Sequence, residues 1–593
     1  MKKTIFTLFF AFIGVFCCAQ ALKVTPQFPS AEGQITLTFN LDDAKDSRKN
    51  GLLNKTSGLY IWAWGGSDIN NKVSEFGPDG QTSFSSAYAP GSLTHVAGNT
   101  WSISLTPNQY LTIPSGKTLR WMGILVKNAD GSAQTEDFVV DLFEQNQLWV
   151  QFKKPVSEQF FVAPNEIIPV QASASKRSEL TISVDGKMII SKVDTLISAE
   201  INAGLSDNKR HTVEVTAILE GQSAKDSFSY IVAPTPRVAN LPAGVKNGIN
   251  YTSATSVTLV LYAPDKKFIY VLGEFNNWQE DAGFIMNRTP DGDTYWLEIN
   301  NLVAQQEYPF QYFVDGEIAV GGPYSEKILD RNNDQYIPSV NYPNLLPFPK
   351  NAKGDIVSVL QTNQVKYAWQ TANFERPQAE NLVIYELLVR DFTSTHWYET
   401  MADTLTYLKK LGINAIELMP VMEFAGNDSW GYNPIYYMAP DKAYGTATDL
   451  KKFVDKCHQQ GIAVLLDMVL NQADYEFPYV KMYWNGTQPA ANSPMFNPQA
   501  THPYSVFFDF NHESPATQKY VKEVTDFWLK EYRFDGFRFD LSKGFTQKKS
   551  ENNVAAWGEY DASRVAIWKR IYNGIKTVDS SAYVILEHFG SDQ

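Results

Sequence analysis

Two rhythms of apolar and polar positions divide this chain. Up to about residue 345, apolar residues recur at every second position in short runs, as on half-buried β-strands. Runs at 34–39, 58–64, 100–105 and 119–125 are of this kind, separated by clusters of Gly, Pro, Asn and Ser. Shorter runs at 167–171, 180–184, 187–190 and 211–218 follow, with Asp185-Gly186 as a hairpin-turn pair. A third group lies at 257–262, 268–278, 294–299 and 308–316. From residue 346 the rhythm changes to strand, helix, strand. Apolar runs at 382–389, 415–419, 462–466, 536–541 and 583–586 predict strands, that at 462–466 one buried on both faces. Leu405, Leu408 and Leu411 mark a helical face closed by Gly412. Leu450, Phe453, Val454 and Cys457 mark another, opened by Thr446 with Asp449 as its reciprocal cap and stopped at Gly461. Ser514-Pro515 opens a third, with Val521, Val524 and Trp528 inward.

These patterns predict a multidomain fold: three all-β sandwich modules followed by a partial (β/α)8 TIM barrel with about five strands present. The expected modules are an N-terminal β-sandwich at 21–155, a small Ig-like sandwich at 156–234, a third β domain at 235–345 and the barrel part at 346–593. Trp62, Trp64, Trp101 and Trp121 could form a sugar-stacking platform in the first module, a starch-binding role, but core packing is the favoured reading. A secretory signal is expected at 1–20. Lys2 and Lys3 precede an apolar run at 4–16, and Cys17-Cys18-Ala19-Gln20 is the cleavage region. That run is too short for a spanning helix, so no integral membrane segment is expected after cleavage. The mature protein is expected to be secreted, periplasmic or at the cell surface, with lipidation at Cys17 or Cys18 the lesser alternative. Only Cys457 then remains, on an apolar helix face, and it reads as core. A net charge of −13 without a Lys/Arg-rich run argues against nucleic acid and anionic membranes as partners.

Three strands end in residues with chemistry: Asp467-Met-Val-Leu-Asn471-Gln472, Arg538-Phe-Asp540 and Glu587-His588. A barrel places its active site at those strand ends. Arg538 and Asp540 are two apart, so they share a face, and the cation favours an ionised carboxylate. Spacing alone leaves a structural ion pair and a nucleophile on equal terms.

In this order the three segments resemble consecutive signatures of the α-amylase superfamily, glycoside hydrolase family thirteen. Trp430-Gly-Tyr-Asn-Pro434 and Tyr444-Gly-Thr446 resemble the loop between its second and third strands. Gly273-Glu-Phe-Asn-Asn-Trp278, with the strand at 310–316, resembles the glucan-binding-like early-set domain of pullulanases, isoamylases and branching enzymes, in which Trp278 need not touch sugar. The resemblance implies a retaining glycosidase acting on α-1,4-glucans through a covalent glycosyl-enzyme. Asp540 would be the nucleophile, held ionised by Arg538, and Glu587 the acid and base. Tyr432, Asp467, Gln472, Arg538, Lys543 and His588 would bind substrate, and Asn471 would help a structural calcium or simply cap a turn. No organic cofactor is implied.

Departures accompany the resemblance. Gln472 stands where the family usually has histidine, and Gly544 follows Lys543 where its amylases often have histidine. No counterpart of the family's later aspartate follows Glu587 before Gln593. The expectation is therefore a piece of a longer protein, with little activity by itself. α-Amylase-type hydrolysis is the first reading, debranching or branching at α-1,6 bonds the second, and a non-catalytic glucan-binding surface protein the alternative of another class.

Overall fold

A computed structural model describes residues 21–157 and 159–589. The expected signal peptide, with Cys17 and Cys18, lies outside the described residues. The chain divides into two compact units: Met1–Phe160, Glu166–Ala203 and His211–Tyr230 form one, and the remainder forms the other.

In the first unit the even spacing of apolar residues produces two antiparallel sheets over one core. Ile35–Asn40 and Thr100–Leu105 pair in one sheet, and Leu59–Gly66 and Trp121–Asn128 pair in the other. Leu37, Phe39, Ile61, Ala63, Ile124 and Val126 meet between them. Trp101 and Trp121 are fully buried, so they pack rather than present a platform. The Ig-like sandwich expected at 156–234 is instead one hydrogen-bonded antiparallel sheet. Ile167–Val184 runs through it, pairing first with Val150–Lys154 and later with Arg210–Leu219. A register shift between Ser173 and Ser178 separates the two halves. A bulge of this kind lets one long strand serve two neighbours, which local periodicity does not reveal. Asp185 and Gly186 adopt φ 50° and 77° in the turn that follows, as a two-residue hairpin requires.

The second unit opens with two further antiparallel sheets. Ile356–Gln361, beyond the boundary expected at 345, pairs with Glu307–Val314 and completes the second of them. Its partner lies about 50 residues earlier, so the run alone could not be assigned to this module. Trp278 is buried in that module's core. The parallel sheet then forms from β1 (Ile384–Leu387), β2 (Ala415–Leu418), β3 (Ala463–Met468), β4 (Gly536–Phe539) and β5 (Tyr583–Leu586), paired in chain order. Every pairing is parallel. Helices α1 (Ala447–Gln459), α2 (Pro515–Glu531) and α3 (Ala562–Val578) return the chain between strands. Thr446 and Asp449 cap α1 reciprocally, and the Ser514 side chain accepts from Ala516 N–H at the start of α2. Cys457 is wholly buried under α1. Tyr479 and Tyr520 tie this part to the β module by donating to the Tyr262 and Pro323 carbonyls, both at 2.9 Å. Among the described residues no helix is long and apolar enough to cross a membrane.

Candidate active site

The site is built where β3, β4 and β5 end. Asp467 pairs in register with Arg538, and the period of two sends Arg538 and Asp540 to the same face. Glu587 follows β5 directly, its amide donating to the Phe539 carbonyl at 3.1 Å. Arg538 stands at the centre. Its Nη1 donates to Asp467 Oδ1 at 2.8 Å, and its Nη2 lies 2.6 Å from Glu587 Oε1. Asp540 Oδ1 is farther, at 3.4 Å, and Glu417 Oε1 lies 3.9 Å from Nε. Four carboxylates thus surround one guanidinium, itself only 13% exposed.

This arrangement changes the electrostatics expected from the sequence. Arg538 was expected to hold Asp540 ionised. Its short contacts go to Asp467 and Glu587 instead, and the Asp540 carboxyl is pushed up to about 7. Burial is the main cause, and the negative charge of Asp467 and Glu587 adds to it against the pull of Arg538. Asp467, with no exposure at all, is also raised to about 7, chiefly by burial. Glu417 is raised by burial as well. Burial opposes charge on Arg538, but Asp467 and Glu587 more than restore it. The cluster therefore holds more carboxyls than one cation can keep ionised.

The turn after β4 fixes Glu587 from the backbone. Leu541 adopts φ 43° and ψ 44°, a left-handed conformation unusual for a leucine. Its N–H donates to Glu587 Oε2 at 3.0 Å. The Ser542 amide and hydroxyl both donate to the Glu587 carbonyl, at 3.1 and 2.8 Å. Strain at this one residue places an N–H where the carboxylate needs it.

Tyr432 reaches the cluster from the loop after β2, and its hydroxyl donates to Asp467 Oδ2 at 2.7 Å. Gln472 does not reach it. Its Nε2 donates to the Tyr432 carbonyl at 3.0 Å, and its side chain is buried, with Oε1 unpartnered. Gln472 thus supports the loop that carries Tyr432. Lys543 is also drawn away: its ammonium lies 4.4 Å from the Trp557 ring centroid, and burial lowers its pKa. His588 turns towards Ser542 Oγ, 3.1 Å from Nδ1, and lines an apolar cavity of about 320 Å³ with Trp568 and Tyr572. Burial, then Arg564 and Lys543, lower its pKa. Gln472, Lys543 and His588, expected to bind substrate, thus make their contacts here with the Tyr432 carbonyl, the Trp557 ring and Ser542.

Asn471 is fully buried, and neither amide atom has a hydrogen-bond partner. Its surroundings do not suit calcium. A Cβ on Gly544 would lie 2.0 Å from Asn471 Oδ1 and 2.8 Å from His502 Nε2, so amide and imidazole crowd one space. Burial opposes charge on His502, but the hydrogen bond to Asp509 and its charge outweigh it, and the pKa is raised. A calcium ion needs six to eight oxygen ligands, several of them anionic. An imidazole nitrogen and one amide oxygen do not supply such a set. Among the described residues no group of three or more His, Cys, Asp or Glu side chains could hold a metal.

Glu417 escaped the sequence reading. It is the one charged residue in 415–419, and a glutamate inside a strand buried on both faces was the available signal. Leu541 and Ser542 escaped too, because they act through backbone atoms.

Residues 398–495 match the α-amylase catalytic-domain family. This stretch is therefore similar to an α-amylase catalytic domain. Over 225 residues it is 33% identical to the malto-oligosyltrehalose trehalohydrolase of Saccharolobus solfataricus, covering 38% of this chain and 36% of that protein. Over 300 residues it is 26% identical to a 1,4-alpha-glucan branching enzyme of Shewanella frigidimarina, covering 48% and 37%. The chain thus spans little more than a third of these curated relatives. A crystal structure of type I pullulanase from Bacillus subtilis, complexed with maltose, aligns at 19% identity and a TM-score of 0.44, covering 73% of this chain and 61% of that one.

Proposed function

We propose that this α-amylase-family protein cleaves α-1,4-glucans with retention, in the manner of an α-amylase. The observation that carries the reading is the Asp467, Asp540 and Glu587 carboxyl group gathered on Arg538 at the ends of adjacent parallel strands. Asp540 attacks the anomeric carbon while Glu587 protonates the departing glycosidic oxygen; Glu587 then takes a proton from water as the glycosyl-enzyme is hydrolysed. Arg538 is the shared counter-ion that lets two carboxyls stand at one bond. Asp467 and Tyr432 grip sugar hydroxyls and a sugar face at the cleavage point. In this reading β1 to β5 are the first five strands of a (β/α)8 barrel, and the signal at 1–20 delivers the protein outside the cytoplasm, where starch or glycogen is met as polymer.

The test is reducing-sugar release from amylose by the complete natural protein. Asp540→Asn should abolish it, and Glu587→Gln should lower kcat by about 10²–10⁴-fold. Unchanged turnover in either variant overturns the assignment. Similarity to a branching enzyme supports a second reading, transfer to a sugar hydroxyl instead of water. New α-1,6 linkages in treated amylose, without a matching rise in reducing ends, would select transfer over hydrolysis.

A further inference from the structure

A second polar cavity, of about 380 Å³, lies in the second unit beside the start of α1, and it shares no lining residue with the carboxyl cluster. Ligand sites are commonly of at least this size. Its charges are mostly spent on each other. Lys327 pairs with Glu307 at 2.7 Å, and Lys451 pairs with Glu531. Lys442 is held by Asp334 and Glu423, so among the described residues that line the cavity no cation is left free to hold a phosphate or an acidic ligand. Glu326 differs: it opens onto the cavity and has no hydrogen bond or ion pair among the described residues. Its carboxyl oxygens are left to accept. Tyr251, 39% exposed, accepts from the Gln361 N–H at 3.3 Å and from Gln364 Nε2 at 3.4 Å, which leaves its own O–H to donate. The Gln364 amide oxygen is likewise left to accept. The Tyr342 ring lies in the same wall, and tyrosines offer flat apolar faces beside polar tips.

A free carboxyl, an amide oxygen and a phenol around tyrosine rings, with other charges paired, match a neutral ligand rich in hydroxyls. We propose that this cavity is a non-catalytic carbohydrate site that holds a stretch of α-glucan chain while another part is cleaved. The choice of α-glucan rests on the proposed function; the choice of a neutral polyhydroxylated ligand rests on the cavity alone. The site tethers polymer and leaves the chemistry to Asp540 and Glu587.

Hydrogen exchange of the complete Asp540→Asn protein with and without maltoheptaose tests this, since that variant does not consume the ligand. Protection is expected at 359–365, where the Gln361 amide meets Tyr251, and separately at 536–543. Glu326→Ala should weaken protection at 359–365, raising the maltoheptaose concentration needed about tenfold or more, as loss of a hydrogen bond to a charged group does, and Gln364→Ala should raise it about three- to tenfold, as loss of a neutral one does. Neither should alter protection at 536–543. Gln364 is exposed, so its variant keeps the test open if Glu326→Ala misfolds. Absence of protection at 359–365, or protection there that neither substitution weakens, overturns the proposal. Protection at 359–365 alone, with none at 536–543, upholds the cavity and refutes the cleavage site.

Discussion

Replacing Asp540 by asparagine should stabilise the folded protein while removing its activity. In the folded state the carboxyl is held up to about 7, against an ordinary value of 3.8. The folded protein therefore keeps this proton over a pH range in which the unfolded chain has lost it. As pH rises from about 4 to about 7, the unfolded state gains by ionising and the folded state does not, so stability falls. At about 1.36 kcal/mol per unit, three units set a ceiling of about 4 kcal/mol. Asp540 shares its cluster with Asp467 and Glu587 and is 16% exposed, so a gain of about 1–3 kcal/mol is the working expectation. Asparagine keeps the shape and cannot ionise. Its advantage should be small at pH 4, where the wild-type carboxyl is neutral too. It should grow through pH 5 and 6 and level off above about 7. Thermal unfolding of both proteins across that range measures it, at about 2–4 °C per kcal/mol for a unit of 150–250 residues. An asparagine variant less stable than wild type at pH 8, or a difference that ignores pH, would show that Arg538 already compensates Asp540 and that the reasoning fails.

Two further predictions probe the packing around the site. Gly544→Ala should cost about 1–3 kcal/mol, because the added methyl would lie 2.0 Å from Asn471 Oδ1 and must displace a fully buried side chain; a melting temperature equal to wild type would refute it. Lys442 is buried with Asp334 at 3.3 Å and Glu423 closer still, and burial raises the pKa of both carboxyls. Lys442→Met should therefore cost about 3–5 kcal/mol near pH 8 and less near pH 5, where the orphaned acids take protons; urea denaturation at the two pH values measures the difference, and a loss that grows towards acid would contradict it.

What the sequence makes legible follows from the range of each signal. The Thr446–Asp449 cap spans three residues, and the start of α1 could be read from it, as its stop could from Gly461. The alternation that puts Arg538 and Asp540 on one face spans two. The choice Arg538 makes among its partners is not written locally. Asp467 lies 71 positions before it and Glu587 lies 49 positions after it, and only strand register brings them nearer than Asp540. The same limit hid the inward turn of Gln472, whose amide meets a backbone carbonyl 40 positions away. It also hid the pairing of Ile356–Gln361. Motif position marked Lys543 and His588 correctly as neighbours of the strand ends. The direction of their side chains depends on Trp557 and Ser542, which no motif names.

The excess of carboxylates over cations at β3 to β5 has a consequence for catalysis on the proposed mechanism. Glu417, Asp467, Asp540 and Glu587 face one guanidinium, so burial raises three of their pKa values and the folded state bears the cost. A structural ion-pair network would gain from matching charges, because each unpaired buried carboxylate is destabilising. Cleavage of a glycosidic bond develops positive charge on the sugar, and a carboxyl of this cluster that gives up its proton puts negative charge where that positive charge develops, which favours the transition state over the neutral ground state. The imbalance that looks like an error in a stability account is of the sign that an oxocarbenium-like transition state requires. The same imbalance gives the sharing of Arg538 a role: on the proposed mechanism Asp540 must be ionised while Glu587 carries the proton, and a guanidinium shared among Asp467, Asp540 and Glu587 does not hold all three ionised.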